Sequence, residues 1–154
     1  MNIVADTNVL VAGLLTPFGV CSEIVRMISS GELTLSFDAR ILTEYSEVLR
    51  RQKFGFEEEK IAALLDYIVD QGHSVAPSPL IDSLPDADDE PFLEVALAGQ
   101  SKCLVTGNQK HFSAALCQGA RVFSPKDFLI FYKKQRAAMK RTKKRPGHSL
   151  RQKR

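Results

Sequence analysis

Short apolar runs alternate along the chain with longer stretches whose hydrophobic positions recur at helical intervals. Ile3-Val4-Ala5 is a compact run that stops at Asp6-Thr7-Asn8, and a longer apolar segment then leads to Pro17-Phe18-Gly19, which predicts a strand followed by a helix. Val20, Ile24, Val25 and Ile28 keep helical spacing until Ser29-Ser30-Gly31, where a glycine stands at the expected end. Leu33 to Phe37 reads as a second brief strand. Asp38 can cap a helix carrying Ile41, Leu42, Tyr45, Val48 and Leu49, and Glu57 to Val69 places Ile61, Leu64, Leu65, Ile68 and Val69 on one face of another. Together they predict a helical hairpin. Pro77, Pro79 and Pro85 punctuate a loop, after which Asp86-Ala87-Asp88-Asp89 opens a helix with Phe92, Leu93, Val95, Ala96 and Leu97. Lys102 to Thr106 and Ala120 to Phe123 read as further strands, with a turn at Gly107-Asn108-Gln109 between them. There is no internal repeat.

Strands of about five residues alternating with helices favour an α/β domain with a mainly parallel sheet and right-handed crossovers. In such sheets the ligand crevice lies beyond the carboxyl ends of the strands. Asp6, Asn108 and Asp38 fall at ends of that kind.

Composition narrows the class. At 154 residues and 17.1 kDa the chain suits one core, and 44% hydrophobic with 25% charged residues excludes a wholly disordered, collagen-like or membrane-embedded protein. Cys21, Cys103 and Cys117 are odd in number and lack CxxC spacing, so neither a disulfide framework nor a zinc finger is expected. The run Val9 to Leu15 is far shorter than the roughly 20 residues of a membrane span and follows no basic segment. The expectation is a soluble cytoplasmic protein with no membrane partner.

Charge divides the chain near Tyr132. Residues 1–132 carry 10 basic against 18 acidic groups, a net −8, whereas residues 133–154 carry 11 basic groups and no acid. We therefore expect a folded domain over 1–132 and a basic tail over 133–154, solvated and flexible, helical at most near its start. Lys133, Lys134, Arg136, Lys140, Arg141, Lys143, Lys144 and Arg145 are its candidate RNA contacts, because like-charge blocks attract polyanions; a solubilising terminus is the alternative. A body at −8 repels phosphate, so tail or divalent cations must offset that repulsion if the substrate is nucleic acid.

Three acids stand where chemistry is expected. Asp6 is fixed at the sheet rim by the strand before it, unless it serves only as an N-cap. Glu44 lies about 100° from the centre of its helix's apolar stripe and Glu47 about 160°, so Glu44 borders the core while Glu47 faces water. Asp89 aligns with Phe92 and Ala96 on the apolar face, leaving Asp86 and Asp88 as the better caps. Carboxylates gathered at one rim raise each other's pKa values and destabilise the fold unless a cation sits among them. Oxygen donors favour Mg²⁺ or Mn²⁺ over zinc or copper, and the chemistry suggested is metal-assisted hydrolysis.

The opening Val4-Ala5-Asp6-Thr7-Asn8-Val9-Leu10-Val11, the helix Ile41-Leu42-Thr43-Glu44-Tyr45-Ser46-Glu47-Val48-Leu49, the stretch Asp86-Ala87-Asp88-Asp89-Glu90-Pro91-Phe92-Leu93 and the stretch Leu104-Val105-Thr106-Gly107-Asn108 resemble the PIN-domain nucleases in order and spacing. Within them the chain is most similar to bacterial toxin components of toxin-antitoxin systems. The resemblance implies a Rossmann-like three-layer α/β/α sandwich and a divalent-metal site that cleaves RNA, leaving a 5′-phosphate and a 3′-hydroxyl. It makes Asp6, Glu44 and Asp89 the first three acids. The fourth position, commonly aspartate, is Asn108 here, whose amide oxygen can ligate directly or through water. Asn8 and Thr106 match polar positions that orient carboxylates, or else form turns. Lys110 and His111 are placed to contact the flanking backbone, and no histidine is assigned as a base. The implied partners are RNA, a cognate antitoxin protein and a second copy of the chain; the amphipathic helix from Glu57 to Val69 could serve the last, unless its stripe is buried within the monomer. Two other readings stand beside this one. One is an RNA- or ribosome-binding module driven by the tail. The other is a haloacid-dehalogenase-like phosphatase, against which stands Asn8 where its second aspartate is required.

Overall fold

Each apolar run at a predicted strand position pairs into a single sheet in the computed structural model, which describes residues 1–144. The strands are β1 (Asn2–Ala5), β2 (Thr34–Phe37), β3 (His73–Ser74), β4 (Cys103–Val105) and β5 (Val122–Phe123). All pair in parallel in the order β3-β2-β1-β4-β5. β1 is central, with Asn2 opposite Thr34 on one side and Val4 opposite Leu104 on the other. Ile3, Val4 and Ala5 alternate between the two faces and are all fully buried, so helices must cover both sides. The result is a three-layer α/β/α sandwich.

The helices are α1 (Thr7–Leu15), α2 (Val20–Ser29), α3 (Ala39–Leu49), α4 (Glu58–Gln71), α5 (Glu90–Ala98) and α6 (Pro125–Lys144). A 3-10 turn at Ala87–Asp89 leads into α5, and another at Gln109–His111 follows β4. Helix α5 packs against β1, β2 and β4, α3 packs on α4, and α6 lies along α2. Tyr45, Phe92 and Phe128 are the largest fully buried side chains. Helices α1 and α2 meet at 102°, and Gly13 makes that crossing possible: a Cβ there would lie 2.4 Å from Val25 Cγ2 and 2.6 Å from the Cys21 carbonyl oxygen.

Two elements differ from the expectation. Strand β3 has no apolar signature, since His73 and Ser74 are exposed, and it forms only because β2 offers an open edge at Ser36 and Phe37. Helix α6 begins at Pro125 and passes through Tyr132 without a break, so the expected division at residue 132 falls inside it. Its start carries helix signals: proline at the first position and Ser124 Oγ accepting from the Asp127 amide at 3.1 Å. Lys, Arg, Gln, Ala and Met then sustain the helix, and Arg141, Lys143 and Lys144 suit the negative end of its dipole. On α4, Ile61 and Ile68 are buried within the monomer while Val69 is exposed. Among the described residues no single helix is long and apolar enough to cross a membrane.

Candidate active site

Strand order reverses between β1 and β4, and Asp6 sits at that switch point. Its amide extends the ladder by donating to the Val105 carbonyl at 2.9 Å, which holds the residue at the carboxyl end of the sheet. Asp6 occupies the N-cap of α1, yet its side chain makes no capping hydrogen bond. Instead Thr106 Oγ1 donates to Asp6 Oδ2 at 2.8 Å, and the same hydroxyl accepts from the Asn108 amide at 3.0 Å. Thr106 is fully buried and Asp6 is 7% exposed, so this pair is a fixed, largely dry support for one carboxylate.

Glu44 approaches from α3. The helix is fastened beside the same strand end by the fully buried Tyr45, whose hydroxyl donates to the carbonyl of Ala5. One residue earlier, half-buried Glu44 accepts a hydrogen bond from the Thr7 hydroxyl. Burial pushes the Glu44 carboxyl above the ordinary range, Thr7 opposes that rise, and the charges of Asp6, Asp88 and Asp89 add to it. Asp89 arrives from the turn before α5. Its pKa is raised first by burial; the His111 charge lowers it, Asp86 raises it, the His111 hydrogen bond lowers it again, and Asp6 raises it further. The charge of Asp6 thus acts on both Glu44 and Asp89, and that of Asp89 on Glu44.

Protein cations do not neutralise these acids: among the described residues neither lysine nor arginine forms an ion pair with Asp6, Glu44 or Asp89. The one partner is His111, with Nδ1 at 3.0 Å from Asp89 Oδ2. Arg40 bridges a different pair, reaching buried Asp38 and Glu94 at 2.8 Å each. Asp38 also caps α3 by accepting from the Ile41 amide at 3.0 Å, so it belongs to the scaffold. Asp86 accepts from the Asp88 amide at 2.9 Å, while Asp89 makes no cap bond at α5.

Asn108 is exposed beside the rim, and Asn8 is exposed in the first turn of α1. In the basic stretch, Lys133 lies 3.9 Å from Glu23 and Arg136 3.5 Å from Glu32. Lys134, Lys140, Arg141, Lys143 and Lys144 are exposed, and Arg145 lies outside the described residues. Sequence reasoning passed over Thr7, Tyr45 and Arg40. Thr7 had a signal in its place between Asp6 and Asn8, whereas Tyr45 read only as core and nothing in the local pattern singled out Arg40.

A parallel α/β domain with a fixed aspartate at its switch point and further acids nearby defines a class of fold whose ligand crevice lies beyond the carboxyl ends of the strands. Among the described residues the side chains whose potential ligand atoms fall within 4.8 Å of one another are Asp86, Asp89 and His111; of the three expected acids this group contains Asp89 and neither Asp6 nor Glu44. The PIN domain profile matches residues 2–110, and the chain belongs to the PIN domain family. PIN domains are generally nucleases and use divalent metal ions. Among solved structures the chain is similar to the crystal structure of VapBC2 from Rickettsia felis bound to a DNA fragment from its promoter. That likeness has 14% identity and a TM-score of 0.49, covering 80% of this chain and 98% of that one. No curated protein matches the chain.

Proposed function

We propose that the protein is a metal-dependent endoribonuclease that hydrolyses RNA phosphodiester bonds and acts as the toxin of a type II toxin-antitoxin pair. The observation that carries the reading is Asp6 held by Thr106 at the carboxyl end of the central strand, and it is supported by the charges of Asp6 and Asp89 acting on Glu44 and by the lack, among the described residues, of a lysine or arginine paired to any of the three. Asp6, Glu44 and Asp89 hold a Mg²⁺ or Mn²⁺ ion, with Asn108 reaching it directly or through water. When bound, the ion supplies Lewis acidity toward water and phosphate and neutralises developing charge. Thr106 and Thr7 fix the orientations of Asp6 and Glu44 before substrate arrives, so little reorganisation is left to the reaction.

Residues 1–132 constitute the nuclease domain in this reading, and the basic stretch from 133 binds RNA. At 100° per residue, the seven cations from Lys133 to Lys144 fall within an arc of about 180° of α6. Such a face attracts phosphates in a salt-dependent way and offsets the repulsion of the acidic body. The protein works in the cytoplasm, where a cognate antitoxin covers the acidic rim and offers it a cationic side chain. Self-association through the exposed margin of α4 at Val69 fits the same picture.

The test incubates purified protein with labelled RNA and Mg²⁺ or Mn²⁺, comparing wild type with Asp6→Asn, Asp89→Asn and a Lys134→Gln/Lys140→Gln/Arg141→Gln variant. Internal cleavage abolished by either acid substitution supports the reading. RNA binding that needs the basic residues, without cleavage that needs the acids, would establish a binding module instead. Growth arrest on expression, relieved by a neighbouring gene product, tests the toxin role.

A further inference from the structure

We propose that the basic face of α6 is an RNA-anchoring surface at the opposite end of the sheet from Asp6, so that the RNA is held in one place, cut in another, and must be long enough to join them. The inference rests on the reading of the protein as an RNA-cleaving enzyme and specifies the size of RNA it prefers. Helix α6 starts level with Asp6. Strand β5 runs parallel to its neighbours and the Thr106 amide donates to the Phe123 carbonyl at 3.0 Å, so Pro125 opens the helix at the carboxyl end of the sheet, where Thr106 holds Asp6.

From there α6 travels back towards the strand origins. The Tyr132 hydroxyl donates to Glu32 at 3.1 Å, and Arg136 lies 3.5 Å from the same carboxylate. Glu32 precedes β2, at the end of the sheet where the Thr34 amide donates to the Met1 carbonyl at 2.9 Å and both β1 and β2 begin. The helix continues without a break to Lys144, and at about 1.5 Å per residue it reaches about 12 Å past Arg136. Lys140, Arg141, Lys143 and Lys144 are exposed on that extension. From Pro125 to Lys144 the helix is about 28 Å long, so its cationic end and Asp6 belong to opposite ends of the domain.

Charge then names the ligand. Lys134, Lys140, Arg141, Lys143 and Lys144 form no ion pair among the described residues, and no acid stands on α6 after Asp127. Such a face attracts a polyanion, while residues 1–132, at net −8, repel one on average. A phosphodiester chain seated on the end of α6 reaches Asp6 only by running the length of the domain. With stacked nucleotides about 3.4 Å apart along a strand, about 28 Å takes about eight nucleotides, and a path over the surface takes more. Cations that merely gathered RNA near the acids make a different prediction, because they help short and long RNA alike.

The experiment measures kcat/KM of the full-length protein on RNAs of about 6 and about 30 nucleotides with the same base context, and the binding of the longer RNA to metal-free protein by fluorescence anisotropy across salt. It compares wild type with Lys134→Gln/Lys140→Gln/Arg141→Gln and with the charge-keeping Lys134→Arg/Lys140→Arg/Arg141→Lys. We expect the wild type to favour the longer RNA, the glutamine variant to lower that preference by about ten-fold or more through KM, and the charge-keeping variant to restore it. The slope of log affinity against log salt should become shallower by about 2 in the glutamine variant. All three residues are exposed, so their replacement leaves the core untouched. A preference that the glutamine variant leaves unchanged, or an equal loss on both RNAs, overturns the inference. Binding of polyglutamate without binding of the longer RNA overturns it too, and assigns the face to an acidic protein. If the wild type cuts neither RNA, the nuclease reading falls and anisotropy alone judges the surface: weaker binding in the glutamine variant upholds it, and unaltered binding overturns it.

Discussion

Thr106→Val removes one hydroxyl while keeping the shape of the side chain, and so isolates what the clamp on Asp6 contributes. Two bonds are lost. The bond to Asp6 is charge-assisted and buried, and such bonds are worth about 1.5–3 kcal/mol. The bond from the Asn108 amide is at a part-buried turn that water can reach, so its loss adds about 0.5–1 kcal/mol. The predicted destabilisation is about 2–4 kcal/mol, which for a urea slope of about 2 kcal/mol/M moves the midpoint by about 1–2 M. Thr106→Ser keeps both bonds and loses one buried methyl group, about 1 kcal/mol. Urea denaturation of both variants gives the comparison, with the slope checked for constancy. Nuclease activity adds a second readout, because a carboxylate released from its clamp slows catalysis by about 10- to 100-fold in the valine variant and far less in the serine one. A valine variant as stable as the serine variant would refute the reasoning, since it would mean that Asp6 does not depend on that hydroxyl.

Other perturbations test the scaffold and the electrostatics. Arg40→Met leaves buried Asp38 and Glu94 without their shared cation and is expected to cost about 2–4 kcal/mol in chemical denaturation, with no effect if the bridge is dispensable. Gly13→Ala forces α1 from α2 and is expected to cost about 1–3 kcal/mol, read as a lowered melting temperature. The raised carboxyls of Glu44 and Asp89 set a pH dependence in the metal-free protein. Their folded pKa values exceed the unfolded ones, so their contribution to stability is present below the ordinary carboxylate range and is lost as pH rises through the folded values. Glu44→Gln, which can still accept from Thr7, should therefore melt higher than wild type at pH 7 and lose that advantage near pH 4; an equal difference at both pH values would contradict this. Adding Mn²⁺ at about 100 times its dissociation constant should stabilise the wild type by about 2.7 kcal/mol and Asp89→Asn by much less, measured by thermal shift.

Most of the layered architecture could be read from the chain because each central strand is a brief run of buried residues. Ile3-Val4-Ala5 is legible as a strand since a fully covered parallel strand has no polar positions. His73-Ser74 is not, because an edge strand of two exposed residues takes its conformation from β2 and leaves no pattern of its own. The positions of Asp6, Glu44 and Asp89 followed from local geometry: a strand end, the border of an apolar helix stripe, and the start of a helix. What holds them did not follow. Thr106 lies far from Asp6 in sequence, and a hydrogen bond formed across the fold has no periodicity to betray it. Arg40 shows the same limit, because its partners Asp38 and Glu94 are brought together only when α5 packs against the α3 side of the sheet. The helical course of residues 133–144 was obscured by charge: self-repulsion suggested a solvated coil, while the ion pairs with Glu23 and Glu32 lay outside local reading.

The clamp joins residues 100 positions apart, and this spacing governs when during synthesis the Asp6 carboxylate can be fixed in place. At about 5–20 residues per second, a ribosome adds Thr106 some 5–20 s after Asp6. Until β4 emerges and slides in beside β1, the first carboxylate has no anchor and the third has no neighbour. A growing chain therefore lacks the fixed carboxylate until the second half of the sheet has joined the first, so the arrangement at the strand ends is a product of the whole fold and not of its opening segment.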